Sequence, residues 1–324
     1  MKRILSLGGL VVVATLIAVG QSWPEAKITV RVVDENASPM ADAEVGITFD
    51  QPKHKPGAWG SSDVLTRNGK SNSEGLFSAS ERSGNYVNAG AKAPGYYSAH
   101  GKAIEFWNSE AGKWKPWNST VEVILKKILN PIPMYARRIE TEIPVVDAPI
   151  GLDLVASDWV PATGHGKTSD FIFKLTKRVE SFHDFGAELL LSFPNPGDGI
   201  QGMPEDSWGG SELRSPHSGP EAGYSQSISL LQGNSKQSGE YGTKNNPRDY
   251  FFRTRTITDP KGQVVSALYG KIYGSIEYFP VSSKTAKLRF TYYLNPTPND
   301  RNVEFDPKRN LFTNLKDEER VTAP

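Results

Sequence analysis

Between Pro194 and Gly223 the chain concentrates the residue types from which sites are made. Asp198, Glu205, Asp206, Trp208, Glu212, Arg214, His217 and Glu221 fall within one stretch dense in Gly, Pro and Ser. An indole face can cover the apolar face of a sugar ring, and carboxylates accept from its hydroxyls. Trp208 with Asp206, Glu212, Arg214 and His217 therefore forms a candidate ligand-binding set, with a glycan as the natural occupant. Loops longer than about 12–15 residues in compact domains are usually functional or disordered, and a ligand-free surface loop would have the same composition.

Other chemistry is thinner. His54, His100, His165, His183 and His217 share no ligand spacing for zinc, and with no cysteine in the chain thiol chemistry and cysteine-held metals are excluded. A nucleophile elbow G-x-S-x-G is absent. No G-x-x-x-x-G-K-S/T loop occurs and no G-x-G-x-x-G is expected in a strand–helix unit, so neither nucleotide nor cofactor is anticipated. Asn299, Asp300, Glu304 and Asp306 are oxygen donors without the spacing of an EF-hand loop, and a solvated turn accounts for them. Phe106, Trp107, Trp114 and Trp117 flank a turn at Ser109–Lys113, where they form either a sugar platform or packing on the sandwich edge.

The elements that must position these residues are strands. Aromatics make up 10% of the chain, with 30 Gly and 23 Pro, and no segment after residue 20 sustains helical periodicity. Ile28–Asp34, Ala43–Phe49, Tyr86–Lys92 and Val121–Leu125 alternate apolar and polar positions, the period of a half-buried strand. Asn130-Pro131-Ile132-Pro133 ends this series, because proline cannot donate to a ladder. Residues 129–146 are then expected as an extended linker. Beyond it, Ser169–Thr176, Glu188–Phe193, Ser225–Leu231, Asp249–Thr258, Gln263–Phe279 and Ala286–Leu294 resume the strand pattern, with Asp259-Pro260-Lys261-Gly262 fitting a type I turn. Tyr269-Gly270 and Tyr273-Gly274 place glycines at a bend or where a neighbouring ring covers the backbone, with a ligand's close approach as the alternative. The expected fold is all-β: two β-sandwich-like domains in tandem, residues 27–128 and 147–312, with a frayed tail at 313–324.

Within the first domain the order V-x-V-V-D (from Val30), A-D-A-E-V (from Ala41), S-N-S-E-G-L-F (from Ser71), A-K-A-P-G-Y-Y (from Ala91) and V-E-V-I-L (from Val121) resembles the carboxypeptidase regulatory-like family, or transthyretin-like domains, over residues 27–127. The resemblance implies a non-catalytic accessory sandwich and carries over no site. The polar loop Gln51–Lys70 is longer than the family's turn. The closing segment of the second domain is similar to that of uncharacterised exported bacterial proteins, which adds no chemistry.

Address and charge complete the sequence-level expectation. Lys2 and Arg3, the apolar run Ile4–Val19 and the small residues Ala18 and Gly20 compose a secretory signal peptide over residues 1–20. An uncleaved anchor is the alternative. The 37 basic and 36 acidic residues give a net charge of +1 without a basic stripe, so nucleic acid is not an expected partner. A periplasmic or extracellular, non-catalytic binding or structural protein of the bacterial envelope is anticipated, with no membrane span after cleavage and with polysaccharide or another envelope protein as its partner. The alternative is a polysaccharide-acting enzyme with its site in the 194–223 loop. Intact-mass analysis of material from an exporting host should give a mature chain starting near Gln21; a full-length species confined to the cytosol would overturn this address.

Overall fold

The computed structural model describes residues 22–54, 59–203, 210–243 and 246–324. The signal segment 1–20, Glu205, Asp206 and Trp208 lie outside these described residues. Among them, no helix is long and apolar enough to cross a membrane, and the regular structure is almost entirely strand. The protein is all-β, with two sandwiches in tandem.

The first sandwich contains β1 (Glu25–Asp34), β2 (Glu44–Pro52), β3 (Ser62–Lys70), β4 (Leu76–Arg82), β5 (Tyr86–Lys92), β6 (Ala99–His100), β7 (Ile104–Glu105), β8 (Asn108–Glu110), β9 (Lys113–Lys115) and β10 (Ser119–Leu125). In one sheet β1 lies between antiparallel β4 and parallel β10, with the β8–β9 hairpin at its start. The other runs β3-β2-β5-β6, and β7 also pairs with β5. Alternation decides what faces inward. Ile28, Val30 and Val32 of β1 meet Val45, Ile47 and Phe49 of β2, with Val121, Val123 and Leu125 of β10 in the same core.

One expectation is corrected here, and one alternative is decided. The polar segment 51–70 is not wholly a loop, because β3 pairs with β2 from Glu44↔Lys70 to Pro52↔Ser62. As an exposed edge strand it needs no apolar face, so its sequence carries little alternation. Of the two readings of Trp114, packing holds and the sugar platform does not: it is buried, stacks on Phe106 at 5.6 Å and donates from Nε1 to the Ser83 carbonyl at 2.9 Å. Trp107, by contrast, is largely exposed.

The second sandwich is built from β11 (Tyr135–Glu142), β12 (Pro149–Asp153), β13 (Asp158–Trp159), β14 (Phe171–Ser181), β15 (Asp184–Ser192), β16 (Gly199–Gly202), β18 (Ser227–Ser235), β19 (Gly239–Gly242), β20 (Tyr250–Thr258), β21 (Val264–Phe279) and β22 (Lys287–Asn295); β17 (Gly210–Ser211) leaves it for the first sandwich. Its sheets run β11-β22-β21-β20-β16 and β13-β12-β14-β15-β18-β19. The hairpin expected at Asp259 joins β20 to β21. Asp259 Oδ1 accepts from the amides of Lys261 and Gln263, and Gly262 takes the φ of +77° that closes the turn. Phe171, Phe173, Leu189, Phe252, Leu288, Phe290 and Tyr292 fill the space between the sheets.

The β21–β22 sheet is covered on both faces. Its outer side carries a separate core of Met134, Ala136, Phe251, Tyr273, Tyr293, Val303 and Phe305. That second cover requires two further corrections. The stretch 129–146 is only partly a linker, since β11 pairs with β22 from Tyr135↔Leu294 to Glu142↔Lys287. The tail 313–324 is docked rather than frayed: Glu319 pairs with Arg137 at 2.5 Å, Val321 packs on the outer core, and Pro324 is buried. The same sheet explains Gly270. A Cβ there would run into the Phe252 ring and the Tyr293 carbonyl oxygen, one of which is backbone and cannot swing away. Gly270→Ala is expected to lower unfolding stability by about 1–3 kcal/mol, read by urea denaturation; an unchanged midpoint would show that the sheet yields at this point.

Candidate functional site

The segment that looked most like a site is a strap between the two sandwiches. After β16 the chain reaches β17, which pairs with β6 of the first sandwich through Gly210↔His100 and Ser211↔Ala99. The Glu212 amide extends the ladder to the Ser98 carbonyl at 2.8 Å. Leu213 is then fully buried, and the strap turns back towards the second sandwich. Arg214 donates to Asp249 Oδ1 at 2.9 Å, with its guanidinium 4.3 Å from the centre of the Tyr273 ring. The Ser215 amide donates to the Tyr273 hydroxyl, and that hydroxyl donates to Ser215 Oγ. From the other side Lys126 Nζ donates to the carbonyls of Arg214 and Ser215.

Glu304 stands at the centre of this seam, with its side chain almost fully buried. Oε1 accepts from the Tyr97 hydroxyl at 2.7 Å and the Leu129 amide at 3.0 Å, and Oε2 accepts from the Asn130 amide at 2.9 Å. His217 completes the set, with Nδ1 3.3 Å from Glu304 Oε2 and Nε2 3.3 Å from Glu35 Oε2. Burial by itself would raise the Glu304 carboxyl, but the Asn130 amide, the Tyr97 hydroxyl, the Leu129 amide and His217 together hold it below the usual range. Beside it, burial drives Lys271 well below its ordinary value. Lys271 Nζ donates to the Tyr273 hydroxyl at 2.8 Å and to the Pro324 carbonyl at 3.0 Å, between the rings of Tyr273 and Tyr293. Burial also pushes Tyr273 up to about 12.

The structure thus brings Arg214 and His217 together with Asp249, Glu35 and Glu304, in a packed seam rather than around a cleft. Glu212 is exposed beside it. Asp206 and Trp208 are outside the described residues. Sequence reasoning missed Tyr97, Lys126, Asp249 and Lys271, and took Glu304 for part of a solvated turn. One signal was present: Lys271 interrupts the apolar run Ala267–Gly274 within β21. Gly197-Asp198-Gly199-Ile200-Gln201-Gly202 matches the letters of a dinucleotide fingerprint, yet it runs into β16 and opens no helix, so it lacks the aligned amides such a site needs. Among the described residues no group of acids and histidines is arranged to hold a metal ion.

A concavity of about 930 Å³ lies on the outer face of the first sandwich. Register builds it. One cross-strand row reads Asn68–Gly46–Gly90–His100, a second Lys70–Glu44–Lys92 and a third Thr66–Thr48–Asn88. The two glycines give the middle of the first row no side chains of its own, and Asn68 and His100 lean inward over it from either end. Glu44 pairs with Lys92 at 3.0 Å, and the Thr48 and Thr66 hydroxyls lie 2.9 Å apart. A second hollow of about 500 Å³, lined by Phe182, Phe185, Tyr241, Phe279 and Pro280, sits on the second sandwich.

No family model matches the chain, and no curated protein matches it. Among solved structures, it aligns with a streptococcal ancillary pilin at 10% identity and a TM-score of 0.22, covering 82% of this chain and 58% of the pilin. It also aligns with a variant of the shaft pilin spaA from Lactobacillus rhamnosus GG at 12% identity and a TM-score of 0.23, covering 72% of this chain and 89% of that one. The chain therefore spans less than two thirds of the ancillary pilin's length. TM-scores at this level establish neither a shared architecture nor a shared role.

Because the Glu304 carboxyl is held below its unfolded value, its contribution to stability is present at neutral pH and lost as pH falls through the depressed value. Glu304→Gln should cost about 2–3 kcal/mol at pH 7, the scale of hydrogen bonds to a buried charge. It should also shrink the loss of stability between pH 7 and pH 3 relative to the parent. Urea denaturation at the two pH values checks this; an acid loss equal to the parent's would mean that Glu304 does not carry the seam.

Proposed function

We propose that this chain is an exported, non-catalytic binding or structural protein of the bacterial envelope, holding polysaccharide or a neighbouring envelope protein on a rigid two-sandwich body. The observation that carries the reading is the fate of the reactive side chains. Arg214 and His217 are engaged by Asp249, Glu35 and Glu304 within the seam. The concavity on the first sandwich presents amides, hydroxyls and lysines rather than a nucleophile paired with a base. Such a surface holds a ligand and does not activate it.

Two sequence features support the same reading. The apolar start with small residues at Ala18 and Gly20 fits export, and the resemblance of residues 27–127 to the carboxypeptidase regulatory-like family fits an accessory sandwich. Exchange of the mature protein with a panel of immobilised glycans, run beside a chromatographic assay for released fragments, tests the proposal. Retention without new oligosaccharide is the expected result. Steady release of oligosaccharide, abolished by substitutions in 194–223, would instead make the protein a polysaccharide-acting enzyme.

A further inference from the structure

The chemistry of the concavity on the first sandwich restricts what fits. Across it, Asn68 and His100 stand at opposite ends of the glycine row, separated by three inter-strand steps of about 4.8 Å each, or about 14 Å. An elongated ligand would therefore cross the strands. At Gly46 an added Cβ would sit 3.1 Å from Asn68 Oδ1, and at Gly90 2.8 Å from His100 Nδ1, so both side chains lean inward over the glycines and bring their polar atoms to the middle of the concavity. Asn68, Asn88, Thr48 and Ser98 offer donors and acceptors side by side, the pattern that vicinal hydroxyls satisfy.

Charge narrows the class. Glu44 is the single acid lining the concavity, against Lys70, Lys92 and His100. Lys92 is neutralised by Glu44, whereas no acidic partner of Lys70 lies within ion-pair distance among the described residues. The aliphatic lining residues Val45, Ala89, Ala91 and Ala99 belong to the core beneath, which leaves no pocket for the apolar side chains by which extended peptides are selected. Resting on the reading of the chain as an envelope binding protein, we infer that this face binds an acidic polysaccharide, a uronate-bearing chain lying across β3, β2, β5 and β6. Its rings pack against Asn68 and His100 where these lean over Gly46 and Gly90, its hydroxyls bond Asn68, Asn88 and Thr48, and a carboxylate meets Lys70.

Calorimetric titration of the full mature chain with an oligogalacturonate, and with a neutral oligosaccharide of equal length, tests the assignment. The uronate oligomer should bind, the neutral one should bind more weakly, and added salt should reduce the difference. Lys70→Gln with Lys92→Gln should weaken uronate binding about fivefold, the scale of exposed charge contacts, while circular dichroism stays unchanged. Gly46→Gln should abolish it by filling the middle of the concavity. Equal affinity for the neutral oligomer overturns the acidic class, and equal or tighter binding of a polyglutamate peptide overturns the glycan. Uronate binding that survives both the lysine pair and Gly46→Gln places the site elsewhere. Absence of uronate binding with no fragment release overturns this site alone and leaves the envelope reading intact, whereas released uronate fragments overturn the envelope reading itself.

Discussion

A carboxylate withdrawn from water must be met by donors, and Glu304 recruits them from segments far apart in the chain. Tyr97 belongs to the first sandwich, Leu129 and Asn130 to the connection, and His217 to the strap. Each donor is local in geometry and remote in sequence. An uncompensated charge at this depth would cost several kcal/mol, so the four approaches are coupled: withdrawing one segment leaves the carboxylate under-satisfied for the others. Together with the pairing of β17 on β6, this coupling ties the two sandwiches to each other.

The outer core of the second sandwich depends on the same constraint. Tyr292 and Tyr293 are neighbours on β22 and point to opposite faces, yet both are buried. The Tyr292 hydroxyl donates to the Leu154 carbonyl at 2.6 Å inside the sandwich, and that of Tyr293 donates to the Ala323 carbonyl at 3.2 Å outside it. Covering the outer face requires the closing segment to lie down along the sheet. Glu304, immediately before Phe305, fixes where that segment begins to do so. Lys271 becomes dry through this same closure, which accounts for the direction of its displacement.

Much of the fold is legible in the sequence because most strands have one wet and one dry face. Ile28, Val30 and Val32 announce β1, and Leu288, Phe290 and Tyr292 announce β22, through simple alternation. The method fails where that asymmetry is absent. β3 is exposed along most of its length and looks like a loop; β11 follows two prolines and carries Arg137 and Arg138, so it looks like a linker. Trp114 illustrates a different limit, since a tryptophan beside a turn has the same letter whether it faces solvent or stacks on Phe106. The seam was the least legible part. Its residue types in 194–223 were visible, but their partners Tyr97, Lys126, Asp249 and Glu304 are distant in sequence, and no local pattern connects them. The concavity was equally hidden, because Gly46, Gly90, Asn68 and His100 become neighbours only through register.

The path of the chain through β17 has an evolutionary consequence. The polypeptide enters the second sandwich, returns to lend a strand to the first through Gly210 and Ser211, and then goes back. Modules joined by a single tether can be shuffled among genes, each half arriving with its own complete sheet. Here a recombination break at the connection would strip β6 of its outer partner strand and leave Glu304 without Tyr97, so neither half would be inherited whole. Such a pair is expected to travel through lineages as one hereditary unit, diverging in its exposed faces while its crossing strand and seam change only together.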